Sequence, residues 1–291
     1  MKKHTLTLLA LLLISLPVAR SKDVTLFVLA GQSNAEGWMG RATGYPADTK
    51  NQDPSILYYW NPRDKGVKPD WTTMQPQNGR FPEGHFGPEV TFSRKVLESG
   101  ENPAVFKFCR GSTSIGDNWQ GPGSRKLYDA MVTDLRHALQ LLKDRGDRVT
   151  NGAFIWIQGE SDAIKPENAA AYEERLKTLI EDMRTNVFHD PNLLVILGCD
   201  EKHSAVQRNP IVITAQEHLA ATLPNCIRTS MLGLPKADGT HLRPEGLVTH
   251  GERLFDAYRT LKAGSAKNPQ TTTSTNTPIT NTVSTNAAVG R

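Results

Sequence analysis

VTLFVLAGQSN, residues 24–34, sets the fold: seven nearly unbroken apolar positions run straight into a glycine, an amide and a hydroxyl. A strand wet on one face alternates apolar and polar residues. A continuous run such as Val24 to Ala30 suits a strand covered on both faces, as in a parallel sheet flanked by helices. Four more runs of this kind follow, at residues 104–109, 152–158, 193–199 and 226–232. Segments of helical character lie between them, at residues 88–99, 126–143, 166–187, 210–223 and 247–261. In the second of these Leu127, Met131, Leu135, Ala138 and Leu142 recur on one face, and in the third Tyr172, Leu176, Leu179, Ile180 and Met183 do so. Strands alternating with helices imply parallel pairing through right-handed crossovers, hence an α/β fold with a three-layer α/β/α sandwich.

Residues 38–87 break this rhythm. They are dense in Gly, Pro, Asn and Trp, and only residues 56–60 look extended. Trp38, Tyr45, Tyr58, Tyr59, Trp60 and Trp71 argue for order here, with core packing and sugar stacking both open for each ring. From Gly264 to Arg291 the chain is mostly Thr, Asn, Ser, Pro and Ala, which reads as a disordered tail.

At the other end, Lys2 and Lys3 precede an apolar run from Leu6 to Val18 that is too short for a convincing membrane span. With small residues at Ala19 and Ser21 it reads as a signal peptide over residues 1–21, an uncleaved anchor being the alternative. The expectation is a secreted or periplasmic protein with no stable membrane span once matured, and a single domain over residues 22–263. That domain holds all 30 acidic residues and balances them with basic ones, so no basic stripe points to nucleic acid. Cys109, Cys199 and Cys226 lack the close spacing of a zinc site or a disulfide framework and read as buried thiols, although one disulfide with a leftover thiol stays open.

In open α/β sheets ligands bind outside the carboxyl ends of the strands. Four of the five strand ends carry chemistry. The first is followed by Gly31, Gln32, Ser33 and Asn34; the second by Arg110, Gly111 and Ser112; the third by Gln158, Gly159, Glu160, Ser161 and Asp162; the last by Asp238, Gly239, Thr240 and His241. These are the parts of acyl transfer. Ser33 is a nucleophile that needs an imidazole to take its proton. Of eight histidines, His241 alone stands beside a strand end with a carboxylate in reach, Asp238, which would fix its tautomer. The backbone N–H groups of Ser33 and Gly111 and the side-chain amide of Gln158 are the candidate oxyanion donors. Ionised Glu160 has only acceptors, so it is expected to position its loop. The competing reading of Ser33 is a helix cap.

The blocks FVLAGQSN (27–34), KFCRGSTS (107–114), WIQGESD (156–162) and DGTH (238–241) resemble the successive blocks of SGNH hydrolases, within them the sialate O-acetylesterase and acetylxylan esterase branch. The resemblance covers roughly residues 23–262. It implies a flavodoxin-like, five-stranded parallel sheet of order 2-1-3-4-5 and deacetylation of acetylated oligo- or polysaccharides, with neither metal nor cofactor. It also implies Gln158 in the place where other branches carry Asn, and a supporting role for Asn34. The shortness of the chain resembles the compact acetylxylan esterases. Gly87, Pro88 and Glu89 also recur in this branch, where they close the substrate loop onto the next helix. Two other readings remain: a non-catalytic carbohydrate-binding protein on the same fold, and a phosphate-binding flavodoxin-like protein, the latter weakened by the lack of a Gly-rich fingerprint.

Overall fold

A computed structural model describes residues 21–60 and 69–267. Its strands are β1 (Asp23–Gly31), β2 (Leu57–Trp60), β3 (Thr72–Thr73), β4 (Pro103–Cys109), β5 (Arg148–Ile157), β6 (Leu194–Cys199) and β7 (Cys226–Ser230). They form one sheet in the order β3-β2-β4-β1-β5-β6-β7. The five apolar runs occupy five adjacent places in the expected relative order, from β4 to the edge strand β7, and all their pairings are parallel. The expected count of five is corrected to seven. The insertion lays β2 parallel along the otherwise open edge of β4, and β3 pairs antiparallel to β2. Backbone groups at a sheet edge need partners, and a short segment can supply them without a periodic pattern of its own.

The helices are α1 (Ser33–Glu36), α2 (Glu89–Glu98), α3 (Leu127–Asp144), α4 (Pro166–Ala170), α5 (Tyr172–Asp182), α6 (Ser204–Arg208), α7 (Ile211–Thr222) and α8 (Pro244–Lys267). The single helix expected over 166–187 is broken at Ala171, whose ψ of 3° interrupts it between α4 and α5. Helix α8 runs to Lys267 and so crosses the expected boundary between domain and tail. Residues 1–20 of the leader expected over 1–21, and the remaining tail over 268–291, lie outside the described residues. Among the described residues no helix is long and apolar enough to cross a membrane.

Alternation along β1 explains its continuous apolarity. Leu26, Val28 and Ala30 enter one core with residues of α3, α5 and α7. Phe27 and Leu29 enter a second core with residues of α2 and α8. The sheet is thus covered on both faces, which gives the three layers.

The insertion is fastened by a buried charge pair. Lys107 on β4 and Glu89 at the start of α2 meet at 2.8 Å with their side chains 2% and 1% exposed. Glu89 also accepts from the Gly87 N–H, and its Oε1 lies 3.2 Å from the Tyr58 hydroxyl. Removing one partner of such a pair leaves a bare buried charge, which typically costs about 3–5 kcal/mol. Tyr58 and Tyr59 are fully buried and Trp71 donates to the Ala138 carbonyl, so these three rings serve the core. All three cysteines are free thiols.

Candidate active site

The turn after β1 is dictated by crowding. Gly31 has φ of 139°, and a Cβ there would lie 2.1 Å from the Ile157 carbonyl oxygen of β5. Only glycine lets the chain pass so close. The next N–H, of Gln32, donates to that same carbonyl at 2.9 Å. Gln32 occupies the cap position of α1 and makes no side-chain cap bond, while Ser33 is the first helical residue. Capping therefore does not claim the Ser33 hydroxyl.

His241 and Asp238 sit at the tip of a loop between β7 and α8, where Lys236 and Leu242 pair antiparallel. His241 Nδ1 is 2.9 Å from Asp238 Oδ2. The other oxygen, Oδ1, accepts the Thr240 and His241 N–H groups, each at 2.7 Å. Burial pushes the Asp238 carboxyl up, but the His241 ring and the two backbone donors outweigh it and hold the group at about 2. An ionised Asp238 keeps the proton on Nδ1 and leaves Nε2 for proton transfer.

Asn34 joins the two ends of the chain. Its Nδ2 donates to the Thr240 carbonyl at 3.1 Å and its Oδ1 accepts the Leu242 N–H at 3.0 Å. The residue after Ser33 thus grips the residues on both sides of His241. Ser33 and His241 line one cavity of about 300 Å³, together with Gln32, Ser112, Glu160 and His203. The Trp38 ring lies beside it, 6.0 Å from that of His241, with the Arg80 guanidinium 3.4 Å over its centre.

Two of the three expected oxyanion donors are spoken for. The Gly111 N–H donates to Glu36 Oε2 at 2.8 Å. Gln158 is fully buried, and its amide nitrogen is held by Asp162 Oδ2 at 2.6 Å and the Thr113 carbonyl at 3.0 Å. The physical reason is competition: a carboxylate inside the protein takes a nearby N–H before any substrate arrives. Gly111 and Gln158 accordingly knit the strand ends together in this structure, and of that set the Ser33 N–H remains.

Glu160 accepts the Asp200 N–H at 3.0 Å, tying the third strand end to the fourth. Burial, helped by the nearby Asp200 carboxylate, pushes its carboxyl up to about 7, against the opposing pull of the Asp200 N–H, its own N–H and Lys236.

Four residues that brace the site, Asp200, Lys236, Asp162 and Glu36, were given no role by the sequence reading, although Asp162 stood in the third strand-end block. Asp200, directly after β6, pairs with Lys236 at 2.5 Å and so clamps the loop that carries His241. The strand-end rule applied to the fourth run would have found it. Asp162 binds the Ile115 and Gly116 N–H groups at 2.8 and 3.0 Å, and Glu36 holds Gly111. The spacing of Glu36, three residues after Ser33 and on the same helical side, was its only signal.

The family described as carbohydrate esterase, sialic acid-specific acetylesterase, matches residues 23–260, and the chain belongs to it. The probable carbohydrate esterase At4g34215 of Arabidopsis thaliana is 29% identical over 177 residues, 59% of this chain and 63% of that protein. The alignment thus spans under two thirds of that relative. The X-ray structure of the Arabidopsis thaliana protein AT4G34215 superposes with a TM-score of 0.61 at 25% identity, covering 82% of this chain and 98% of that one. NanS has the same fold, with a TM-score of 0.61 at 16% identity over 84% of this chain and 99% of that one. So does XAC1771, a carbohydrate acetylesterase from Xanthomonas citri, with a TM-score of 0.57 at 18% identity over 82% of this chain and 56% of that one.

Proposed function

We propose that this chain is a serine esterase that removes O-acetyl groups from oligo- or polysaccharides, with Ser33, His241 and Asp238 as its triad. The observation that carries this reading is the Asp238–His241 bond on a loop that Asn34 fastens beside Ser33. Asp238 orients the imidazole. His241 takes the Ser33 proton as Oγ attacks the acetyl carbonyl, then returns it to the departing sugar oxygen. Water, deprotonated by the same imidazole, cleaves the acetyl-serine and restores the hydroxyl. Membership in the acetylesterase family supports acetyl as the acyl group, and the hydroxyl and amide side chains on the cavity wall, Ser112, Ser114, Asn118 and Thr240, suit a hydroxyl-rich leaving group. Export is part of the proposal, resting on the charged and apolar start of the sequence.

The test is release of acetate from acetylated xylan and from O-acetylated sialic acid, alongside p-nitrophenyl acetate. Ser33→Ala should lower every rate by about 10⁴-fold or more with the fold intact. An equally active variant removes Ser33 from the mechanism.

A further inference from the structure

A sugar ester differs from a simple one in the hydroxyl groups beside the acylated oxygen, and a site that reads them needs a few fixed polar groups on the wall of its cavity. A second imidazole stands on that wall. His203 lines the same cavity as Ser33 and His241, and the triad chemistry makes no use of it.

The geometry points to His203 as a specificity-determining residue: its Nε2–H donates to a hydroxyl oxygen of the sugar next to the ester that Ser33 attacks. The inference rests on the esterase reading of the same cavity. His203 follows β6 and caps α6, where its Nδ1 accepts the Ala205 N–H at 3.2 Å. A ring nitrogen that accepts carries no proton, so the neutral imidazole has its one proton on Nε2. Burial holds the ring below the ordinary histidine range, Lys236 and His241 adding to it and the Asp200 carboxylate opposing, so the neutral form prevails at neutral pH. The bond to Ala205 is the only side-chain hydrogen bond of His203 among the described residues. Its Nε2–H is therefore free for a ligand.

The donor is also held in place before substrate arrives. The His203 N–H donates to the Asp200 carbonyl at 3.1 Å, and the Asp200 carboxylate accepts the Lys202 N–H at 3.0 Å while pairing with Lys236. Asp200 thus braces two imidazoles, that of His203 through its own turn and that of His241 through the Lys236 loop. A group fixed in this way loses little freedom on binding. On the proposed mechanism the Ser33 N–H meets the acetyl carbonyl and His241 returns its proton to the ester oxygen, so a further donor in the cavity is left for another oxygen of the alcohol. A simple ester has none; a sugar carries several.

Two variants separate the donor from the cap. The amide oxygen of asparagine reaches to about where Nδ1 stands, and the amide nitrogen of glutamine to about where Nε2 stands. His203→Asn therefore keeps the bond to Ala205 and loses the donor, and His203→Gln does the reverse. Both are assayed for kcat and KM on p-nitrophenyl acetate and on whichever of acetylated xylan and O-acetylated sialic acid the wild type cleaves faster, with thermal unfolding alongside. For His203→Asn the expected result is a wild-type unfolding midpoint and a kcat/KM on the sugar ester that falls about 5–100-fold further than that on p-nitrophenyl acetate, mainly through KM. His203→Gln should unfold at a lower temperature and keep the greater part of the wild-type preference for the sugar ester. A preference intact in His203→Asn would overturn the assignment and leave His203 as a helix cap. A fall of equal size on both esters would overturn it too, placing His203 on the oxyanion or the triad instead. A wild type that cleaves p-nitrophenyl acetate but neither sugar ester overturns the carbohydrate reading and this inference with it, whereas one that cleaves no ester overturns the esterase reading itself.

Discussion

Replacing Glu160 with glutamine should stabilise the protein, and should do so mainly above neutral pH. The buried carboxyl sits at about 7 against an ordinary 4.5. Between those values the folded chain keeps a proton that the unfolded chain has released, so stability falls as pH rises from about 4.5 through about 7. At pH 8 the full difference applies, and at 1.36 kcal/mol per unit it comes to about 3 kcal/mol; at pH 5 it is under about 1 kcal/mol. Glutamine has no charge to bury and its Oε1 still accepts the Asp200 N–H. In a domain of this size 1 kcal/mol moves Tm by about 2–4 °C, so the variant's advantage over wild type should grow by about 5–10 °C between pH 5 and pH 8. Thermal unfolding followed by circular dichroism at the two pH values measures this directly. Any fixed cost of the new NH₂ group cancels in the comparison. A Tm difference independent of pH, or one that shrinks as pH rises, would refute the assignment of an elevated carboxyl to this position.

Asp238→Asn should lower kcat on p-nitrophenyl acetate by about 10³–10⁴-fold with little change in Tm, because the tautomer of His241 is lost while its loop stays clamped by Lys236 and Asn34. Asn34→Ala removes two bonds to that loop and should cost about 1–3 kcal/mol in urea unfolding and at least about tenfold in kcat. His250, fully buried on α8, is held neutral by burial down to about 4 against an ordinary 6.5. The unfolded chain takes up that proton first, so stability should fall as pH drops from about 6.5 to about 4, and His250→Met should flatten that fall in a pH series of Tm values.

The central sheet was legible because β1 and its neighbours are buried on both faces, which forces long apolar runs that few other environments produce. Strand β3 was not, and β2 was legible only as an extended stretch, not as a member of the sheet. Leu57 to Trp60 form a short edge strand, and their aromatic residues could equally have lined a sugar site; only the pairing with β4 decides. The residues proposed as the triad were legible through their places at strand ends. Their surroundings were not, because a hydrogen bond such as that from Gly111 to Glu36 depends on which acceptor comes nearest in space. Sequence spacing offered Gly111 and Gln158 as oxyanion donors, and it could not reveal that Glu36, Asp162 and Thr113 would take their N–H groups.

Asn34 binds residues 206 and 208 positions further along the chain. A polypeptide still being synthesised therefore carries the serine long before it owns the histidine, and on the proposed mechanism it is inert toward any ester it meets. Under that mechanism hydrolysis begins only with closure of the last crossover, so turnover would double as a certificate that nearly the whole domain has been made and folded.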